Sequence, residues 1–180
     1  MFRKDRTDND MNADASPDFN LDDILLQPAQ DEDYAAVREL FKAGLAEGLV
    51  PDNDTGADIE TLHDAYFADD GHSNFWVAKC GGDVVGMIGV QKTSEDTAEV
   101  RRLRVRHSHR RHGVGTKLVE QALMFCRHHS YLKVILDVRI ERGPAIALFE
   151  KFGFQLARSR EVEGRKMLDF YFDIYRDPPA

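Results

Sequence analysis

Cysteine is scarce in this chain of 180 residues, which has only Cys80 and Cys126. Two cysteines in a chain this long do not make a disulfide framework, and each lies in an apolar stretch, so we interpret both as small buried residues. A long apolar run is also missing, because the stretch around 84–90 is broken by Gly86 and Gly89 and is too short to cross a bilayer. The first residues lack the apolar segment of a signal peptide. These absences predict a cytoplasmic protein with no membrane partner.

An excess of positive charge is missing as well. The chain has 24 Lys and Arg against 32 Asp and Glu, a formal net charge of −8, which disfavours general attraction to nucleic acid. Residues 101–112 hold six arginines but no aromatic residue other than histidine, whereas single-stranded nucleic acids are bound by basic and aromatic side chains together. Alternate side chains of a strand face opposite sides, so we do not expect these arginines to form one patch. We predict no nucleic-acid partner.

The same run contains His107, His109 and His112. No cysteine or carboxylate lies at metal-ligand spacing beside them, so a solvated loop explains them better than a zinc site. We predict no metal cofactor.

The composition is that of one globular domain. Hydrophobic residues make up 42% of the chain, enough to form a core, and the length leaves little for a second domain. Residues 1–20 have almost no aliphatic side chains and cannot offset the entropy of ordering the chain. We therefore predict a disordered polar leader over residues 1–20 and a folded domain over residues 21–180.

The spacing of apolar residues predicts an alternation of strands and helices. Strands are predicted at 24–28, 74–79, 84–92, 98–105, 133–138 and 166–175, with Gly81 and Gly82 forming a tight hairpin turn. Helices are predicted after Asp31 or Asp33 and at 58–67, 113–129 and 144–152. The order β-α-α-β-β-β-α-β-α-β-β predicts an α/β fold in which a mixed sheet is covered by helices on both faces.

A glycine-containing turn between the strand at 98–105 and the next helix suits a phosphate group. Gly113 and Gly115 carry no side chains, so backbone N–H groups there can close on an oxyanion at the positive end of the helix dipole. Arg110, Arg111 and His112 precede them directly. A dinucleotide-binding turn would need a third glycine at position 118, and a nucleoside-triphosphatase loop would need Gly-Lys-Ser/Thr, so both of those alternatives are disfavoured.

The pattern Arg110-x-x-Gly113-x-Gly115 after a strand resembles the acetyl-CoA motif (Gln/Arg)-x-x-Gly-x-(Gly/Ala) of the GNAT acetyltransferase superfamily. Residues 145–154, Ala-Ile-Ala-Leu-Phe-Glu-Lys-Phe-Gly-Phe, are similar to the second motif of that superfamily. The resemblance covers roughly residues 22–176 and is strongest over 98–155. Residues 38–47 and 173–176 resemble the camello-like branch.

The resemblance implies the GNAT fold, acetyl-CoA as co-substrate and an amine as acceptor. It implies that the pyrophosphate is held after Arg110 by the backbone amides of Arg111, His112, Gly113, Val114, Gly115 and Thr116. It also implies that main-chain groups of Leu103 and Val105 pair with the pantetheine arm. Arg142 and Phe149 stand at cofactor-site positions where the superfamily often has asparagine and tyrosine. We expect a monomer or a homodimer.

Acetyl transfer to an amine needs a base, and Glu99 is the candidate. An alkylamine with a pKa near 10.4 is neutral about once in 2,500 molecules at pH 7. Glu99 lies 11 residues before Arg110, the offset at which some superfamily members place a catalytic glutamate. The alternative is that Glu99 pairs with a nearby arginine as a structural group. Phe149 cannot donate a proton to the leaving thiolate, which leaves Tyr131, Tyr171 or solvent for that role.

Residues 51–71 contain seven Asp or Glu and no Lys or Arg. In the superfamily this segment often borders the acceptor cleft, so it could form an acidic wall that favours cationic amines. The alternative, which we favour, is an exposed loop of an acidic protein. Two functions stay open because Phe149 and Arg142 depart from the superfamily pattern: an N-acetyltransferase, or a module of the same fold that binds an acyl-CoA without turnover.

Overall fold

One mixed sheet of seven strands forms the centre of the computed structural model, which describes residues 19–48 and 54–176. The strands are β1 Leu25–Pro28, β2 Asn74–Cys80, β3 Asp83–Lys92, β4 Thr97–Val105, β5 Lys133–Arg139, β6 Gln155–Val162 and β7 Arg165–Asp173. The helices are α1 Tyr34–Ala46, α2 Ala57–Glu60, α3 Leu62–Tyr66, α4 Val114–His128 and α5 Gly143–Lys151.

The strands lie in the order β1-β2-β3-β4-β5-β7-β6. Within this described sheet all neighbours are antiparallel except β4 and β5, which run parallel. A parallel pair cannot be joined by a tight turn, and α4 provides the crossover between β4 and β5. The predicted α/β class with a mixed sheet is confirmed.

Helices cover both faces of the sheet, as predicted. On one face α1 buries Val37, Leu40 and Phe41 against α2, α3 and the sheet. On the other face α4 buries an apolar stripe at helical spacing, and α5 packs beside it. The strands between the two cores are apolar on both sides, which is why most of β3 is buried along its length.

The helix predicted at 58–67 is two short helices, α2 and α3, with a break at Thr61 (φ −115°, ψ 50°). The Thr61 hydroxyl donates to the carbonyl of Ala57 at 2.9 Å, a local bond through which threonine competes with regular helix. The hairpin turn is confirmed, because Gly81 and Gly82 have positive φ values of 58° and 94°.

Most of the predicted leader, residues 1–18, lies outside the described residues, as do 49–53 and 177–180. Of the leader the structure describes only Phe19 and Asn20. Cys80 is half-buried, Cys126 is buried, and both are free thiols. Within 19–48 and 54–176 no helix is both long and apolar enough to span a membrane.

Candidate active site

The sheet splits where β4 and β5 separate. The two strands pair only from Thr97 to Glu99 on β4 and from Lys133 to Ile135 on β5. Beyond Glu99, β4 is paired with β3 alone, and β5 continues against β7. The split opens onto a cavity of about 400 Å³. Its charged lining residues are Asp54, Glu99, Arg101, Arg102, Arg104, Asp137, Arg139 and Arg142, and Phe149 and Met167 are among its apolar ones.

Glu99 lies at the point where the strands part. Burial raises the pKa of its carboxyl group, the nearby Arg101 lowers it, and Asp137 raises it again, with a net upward shift. Glu99 forms no salt bridge with any residue in the described ranges, so its predicted alternative role as an ion-pair partner has no support there. A carboxylate with a raised pKa at the edge of a cavity can accept a proton near neutral pH.

A β-bulge in β4 changes where its arginines point. The register against β3 shifts between Met87 and Gly89, and Arg102 takes a left-handed conformation with φ 61°. Arg101, Arg102 and Arg104 therefore all line the same cavity. The expectation that the arginines of this strand alternate between faces is wrong, because the extra residue in the bulge shifts the alternation.

Arg102 reaches from the bulge into the acidic segment. Its guanidinium donates hydrogen bonds to both carboxylate oxygens of Asp54 and of Asp58, and it lies 5.1 Å from the centroid of the Phe41 ring. The Tyr66 hydroxyl donates to Asp58 at 2.6 Å. Burial raises the pKa of both carboxyl groups, but the hydrogen bonds and the charge of Arg102, together with a hydrogen bond from Gly56 to Asp54 and from Tyr66 to Asp58, outweigh it, and both pKa values are lowered.

This network bears on both interpretations of residues 51–71, the acidic wall and the exposed loop. Among the described acidic residues of that segment, Asp54 alone lines the cavity, and Arg102 neutralises its charge. The described part of the segment therefore presents no acidic wall to an acceptor. It is not simply an exposed loop either, because Asp54 and Asp58 are largely buried in the ion-pair network.

The predicted phosphate cradle lies at the start of α4. Gly113 precedes the helix with φ 84°, and Arg111 also has a positive φ of 67°. The first hydrogen bond at this helix end runs from the N–H of Lys117 to the carbonyl of Gly113 at 3.1 Å. The N–H groups of Val114, Gly115 and Thr116 precede that bond and are free to bind an anion.

Three residues predicted to contact the cofactor form hydrogen bonds within the protein instead: Arg110, Leu103 and Val105. Arg110 Nε donates to the carbonyl of Val105 at 2.9 Å, and its Nη2 donates to Glu47 Oε2 at 2.6 Å. The carbonyl of Leu103 accepts from Arg142 Nη2 at 3.3 Å. Arg110 thus ties the end of β4 to the end of α1, and a pantetheine arm would share the Leu103 carbonyl with Arg142.

Residues 19–21 pack on the cradle, a contact that the motif pattern did not indicate. The Phe19 ring lies 4.8 Å from the ring of His112, and Leu21 lies over Gly113, where an added Cβ would come within 2.9 Å of Leu21 Cδ2. Lys117 Nζ donates to the carbonyl of Leu21 at 2.9 Å. Only the apolar character of Phe19 and Leu21, at the end of a polar segment, could have indicated them.

Neither tyrosine suggested as a proton donor lines the cavity. The hydroxyl of Tyr131 donates to the carbonyl of His72 at 2.6 Å, and burial raises its pKa to about 12. The hydroxyl of Tyr171 donates to Gln155 Oε1 at 2.8 Å. Phe149 is buried in the cavity wall. Across residues 19–48 and 54–176, no three His, Cys, Asp or Glu side chains come together as a possible metal site.

Comparison with known sequences gives relatives that are N-acetyltransferases by name. Over 103 residues the chain is 35% identical to human N-acetyltransferase 8, a match that covers 54% of this chain and 45% of that protein. It is 34% identical over 89 residues to rat N-acetyltransferase family 8 member 3, covering 47% of this chain and 39% of that protein. The matches span less than half the length of these relatives. Their names agree with the resemblance to the camello-like branch.

Solved structures with the same fold are acetyltransferases at low sequence identity. A GNAT acetyltransferase from Staphylococcus aureus Mu50 superposes with a TM-score of 0.75 at 16% identity, covering 84% of this chain and 99% of that one. An acetyltransferase from Salmonella typhimurium, solved with its cofactor acetyl-CoA, superposes with a TM-score of 0.74 at 17% identity, covering 88% and 99%. These likenesses confirm the predicted GNAT fold.

The family model described as "Acetyltransferase (GNAT) family" matches residues 35–154, which include α1 except Tyr34, the bulged strand β4, the cradle and all of α5 with its motif. The matched region thus contains both the split of the sheet at Glu99 and the free amides at the start of α4. The chain belongs to the acetyltransferase (GNAT) family.

Proposed function

We propose that this protein transfers the acetyl group of acetyl-CoA to an amine, with Glu99 as the base. The observation that carries the proposal is the position of Glu99, a half-buried carboxyl group with a raised pKa at the split between β4 and β5. The names of the relatives support an N-acetyltransferase, and the Salmonella typhimurium neighbour supports acetyl-CoA as donor.

The residues of the cradle fit a coenzyme A diphosphate. Val114, Gly115 and Thr116 offer N–H groups that the helix does not use, and the positive φ of Gly113 turns the chain into α4 without a side chain. We expect these groups, with the amides of Arg111 and His112, to hold the diphosphate, and Arg110 to support them by fixing the end of β4. When bound, acetyl-CoA supplies an activated acyl group as a thioester.

The protein's own contribution to the reaction is proton transfer in a confined site. Glu99 takes a proton from the attacking amine, directly or through water, which raises the fraction of neutral nucleophile at the moment of attack. Since no tyrosine lines the cavity of the described structure, solvent protonates the leaving thiolate. A thiol with a pKa of about 8.5 is a tolerable leaving group, so turnover does not require an internal acid.

The proposal is tested by following free thiol while the purified protein is incubated with acetyl-CoA and a panel of amines. We expect thiol release above background with at least one amine. Glu99→Gln keeps the size of the side chain but cannot take the proton, so it should lower kcat by 10²-fold or more with little change in coenzyme A affinity. Arg158→Gln, a change at an exposed residue of β6, is the control and should keep the parent rate.

The second candidate is an acyl-CoA-binding module without turnover. It is favoured by two observations: Arg142 bonds to the Leu103 carbonyl in the split, and Phe149 stands where a proton donor is common in the family. Tight binding of coenzyme A together with no thiol release on any amine would support the module and overturn the enzyme. A monomeric or homodimeric state, a cytoplasmic location and the lack of a nucleic-acid partner remain predictions of the sequence.

A further inference from the structure

Arg104 places a guanidinium group inside the protein beside the proposed reaction site. The residue is 7% exposed and lines the cavity that contains Glu99. Its guanidinium lies against α1 at Gly44, where an added Cβ would come within 2.6 Å of Arg104 Cζ. Its Nη1 atom is buried and has no hydrogen-bond partner in the described structure. A buried donor without a partner is costly, so this guanidinium would gain from an added hydrogen-bond acceptor.

Arg142 is a second cation in the same cavity. The one hydrogen bond of its guanidinium within the described residues is the 3.3 Å contact from Nη2 to the carbonyl of Leu103, and no carboxylate there forms a salt bridge with it. Burial, together with the charge of Arg142, lowers the pKa of Arg104 to about 9. Burial and the charge of Arg110 lower the pKa of Arg142. Both side chains are therefore in surroundings that would gain from a nearby negative charge.

The neighbouring carboxylates do not supply that charge. Glu47, the carboxylate that acts on both arginines, is bonded to Arg110 at 2.6 Å. Asp54 is bonded to Arg102. Asp137, on the opposite wall of the cavity, accepts from Arg160 at 2.8 Å. The carboxylates near the split are thus engaged elsewhere or, as with Glu99, have a raised pKa.

We propose that Arg104 and Arg142 form a carboxylate-binding subsite, so that the reaction involves a substrate whose own carboxylate lies beside the acyl group. The subsite deepens the proposed function and rests on it. A carboxylate is planar and accepts forked hydrogen bonds from a guanidinium. A ligand with only one negative charge suits this cavity because two carboxyl groups, Glu99 and Asp137, already line it. The carboxylate can come from the amine acceptor or from a dicarboxylic acyl group on the donor.

Two matched series of substrates test the proposal and separate the two sources. The acceptor arm uses acetyl-CoA with glycine, β-alanine, 4-aminobutyrate and 6-aminohexanoate, each against its primary amide. The donor arm uses succinyl-CoA against butyryl-CoA, with benzylamine as acceptor. In one arm we expect kcat/KM to favour the carboxylate by at least tenfold, the range of a hydrogen bond to a charged group. Arg104→Gln should bring that ratio near one while the rate on the uncharged substrate changes less than threefold.

Three further measurements keep the test decisive. Arg104→Lys keeps the charge but loses the fork, so it should retain part of the preference. Arg142→Gln should also lower the ratio, and it serves if Arg104→Gln does not fold. Arg158→Gln, far from the cavity on exposed β6, should leave the ratio unchanged.

A binding readout separates failure of the subsite from failure of the proposed reaction. Calorimetry compares N-acetyl-6-aminohexanoate with its amide in the presence of coenzyme A, and succinyl-CoA with butyryl-CoA in its absence. A preference for the carboxylate that is lost in Arg104→Gln supports the subsite even if no thiol is released. Turnover of uncharged substrates with no carboxylate preference in either arm, or a preference that survives Arg104→Gln, would overturn the subsite and leave the acetyltransferase in place.

Discussion

Replacing Arg102 by methionine should be the most destabilising single change at the bulge. The guanidinium is 8% exposed and joins Asp54 and Asp58, whose side chains are 20% and 11% exposed. Methionine keeps an unbranched apolar stem and suffers the same strained φ of 61°, so the comparison chiefly removes the guanidinium with its charge and hydrogen bonds. Removing one partner of a buried ion-pair network costs about 3–5 kcal/mol. For a chain of this size that lowers Tm by roughly 6–20 °C.

The assay is urea unfolding followed by circular dichroism at several pH values. Because Arg102 holds the folded pKa values of both carboxyl groups below their unfolded values, the network stabilises the fold above about pH 4 and loses its effect as pH falls through the folded pKa values. The difference between parent and Arg102→Met should be full at pH 7 and shrink below about pH 4. Adding Asp54→Asn and Asp58→Asn should recover most of the loss at pH 7.

The matched control is Arg158→Met, which also removes an arginine paired with a carboxylate, Asp169, but from a side chain that is 72% exposed. Exposed pairs contribute about 0–1 kcal/mol, so this variant should unfold close to the parent. A loss of less than 1 kcal/mol in Arg102→Met, or an equal loss in both variants, would show that the network does not stabilise the fold in the way its burial implies.

Three further predictions concern the site. Gly113→Glu should abolish coenzyme A binding in calorimetry by adding a carboxylate at the cradle. Gly113→Gln has the same size and backbone strain without the charge and should retain more affinity. Equal binding by the parent and both variants would show that the diphosphate is not bound at the cradle. The kcat of the parent should rise with pH through the raised pKa of Glu99, and Glu99→Gln should lose that limb. A Glu99→Gln rate equal to that of the parent at every pH from 6 to 9 would exclude Glu99 as the base. Gly44→Ala should lower the free energy of unfolding in urea by about 1–3 kcal/mol, because its Cβ would overlap Arg104, and it should also weaken the carboxylate preference. A variant as stable and as selective as the parent would mean that the guanidinium of Arg104 moves away freely.

The features that the sequence predicted best are local in the chain. Gly81 and Gly82 take the positive φ that a tight hairpin needs, and Gly113 takes it before α4, since only glycine enters that region without strain. The prediction of Glu99 rests on its offset of 11 residues before Arg110, which the resemblance implies, and Glu99 lies where the pairing of β4 with β5 ends. The glycine predictions needed only backbone preferences, whereas the prediction of Glu99 needed the resemblance to the superfamily.

The features that the sequence could not predict depend on contacts between distant segments. The bulge at Arg102 changes which face each following residue of β4 occupies, and nothing in the alternation of residues 98–105 marks it. Its salt bridge to Asp54 joins residues 48 apart, and the contact of Phe19 with His112 joins the end of a polar segment to the cradle. Such contacts follow from tertiary packing, which overrides the local period.

The bulge also links the stability of the fold to the chemistry of the site. A regular strand would place neighbouring arginines on opposite faces, and one of them would then enter the apolar core beneath α4. With the extra residue, Leu103 fills that core while Arg102 and Arg104 both face α1. Arg102 then finds two carboxylates on the segment that follows α1, whereas Arg104 finds the backbone of Gly44 and no carboxylate. The same backbone irregularity therefore satisfies one buried cation and leaves the next one available to a ligand, a few residues from the carboxyl group of Glu99.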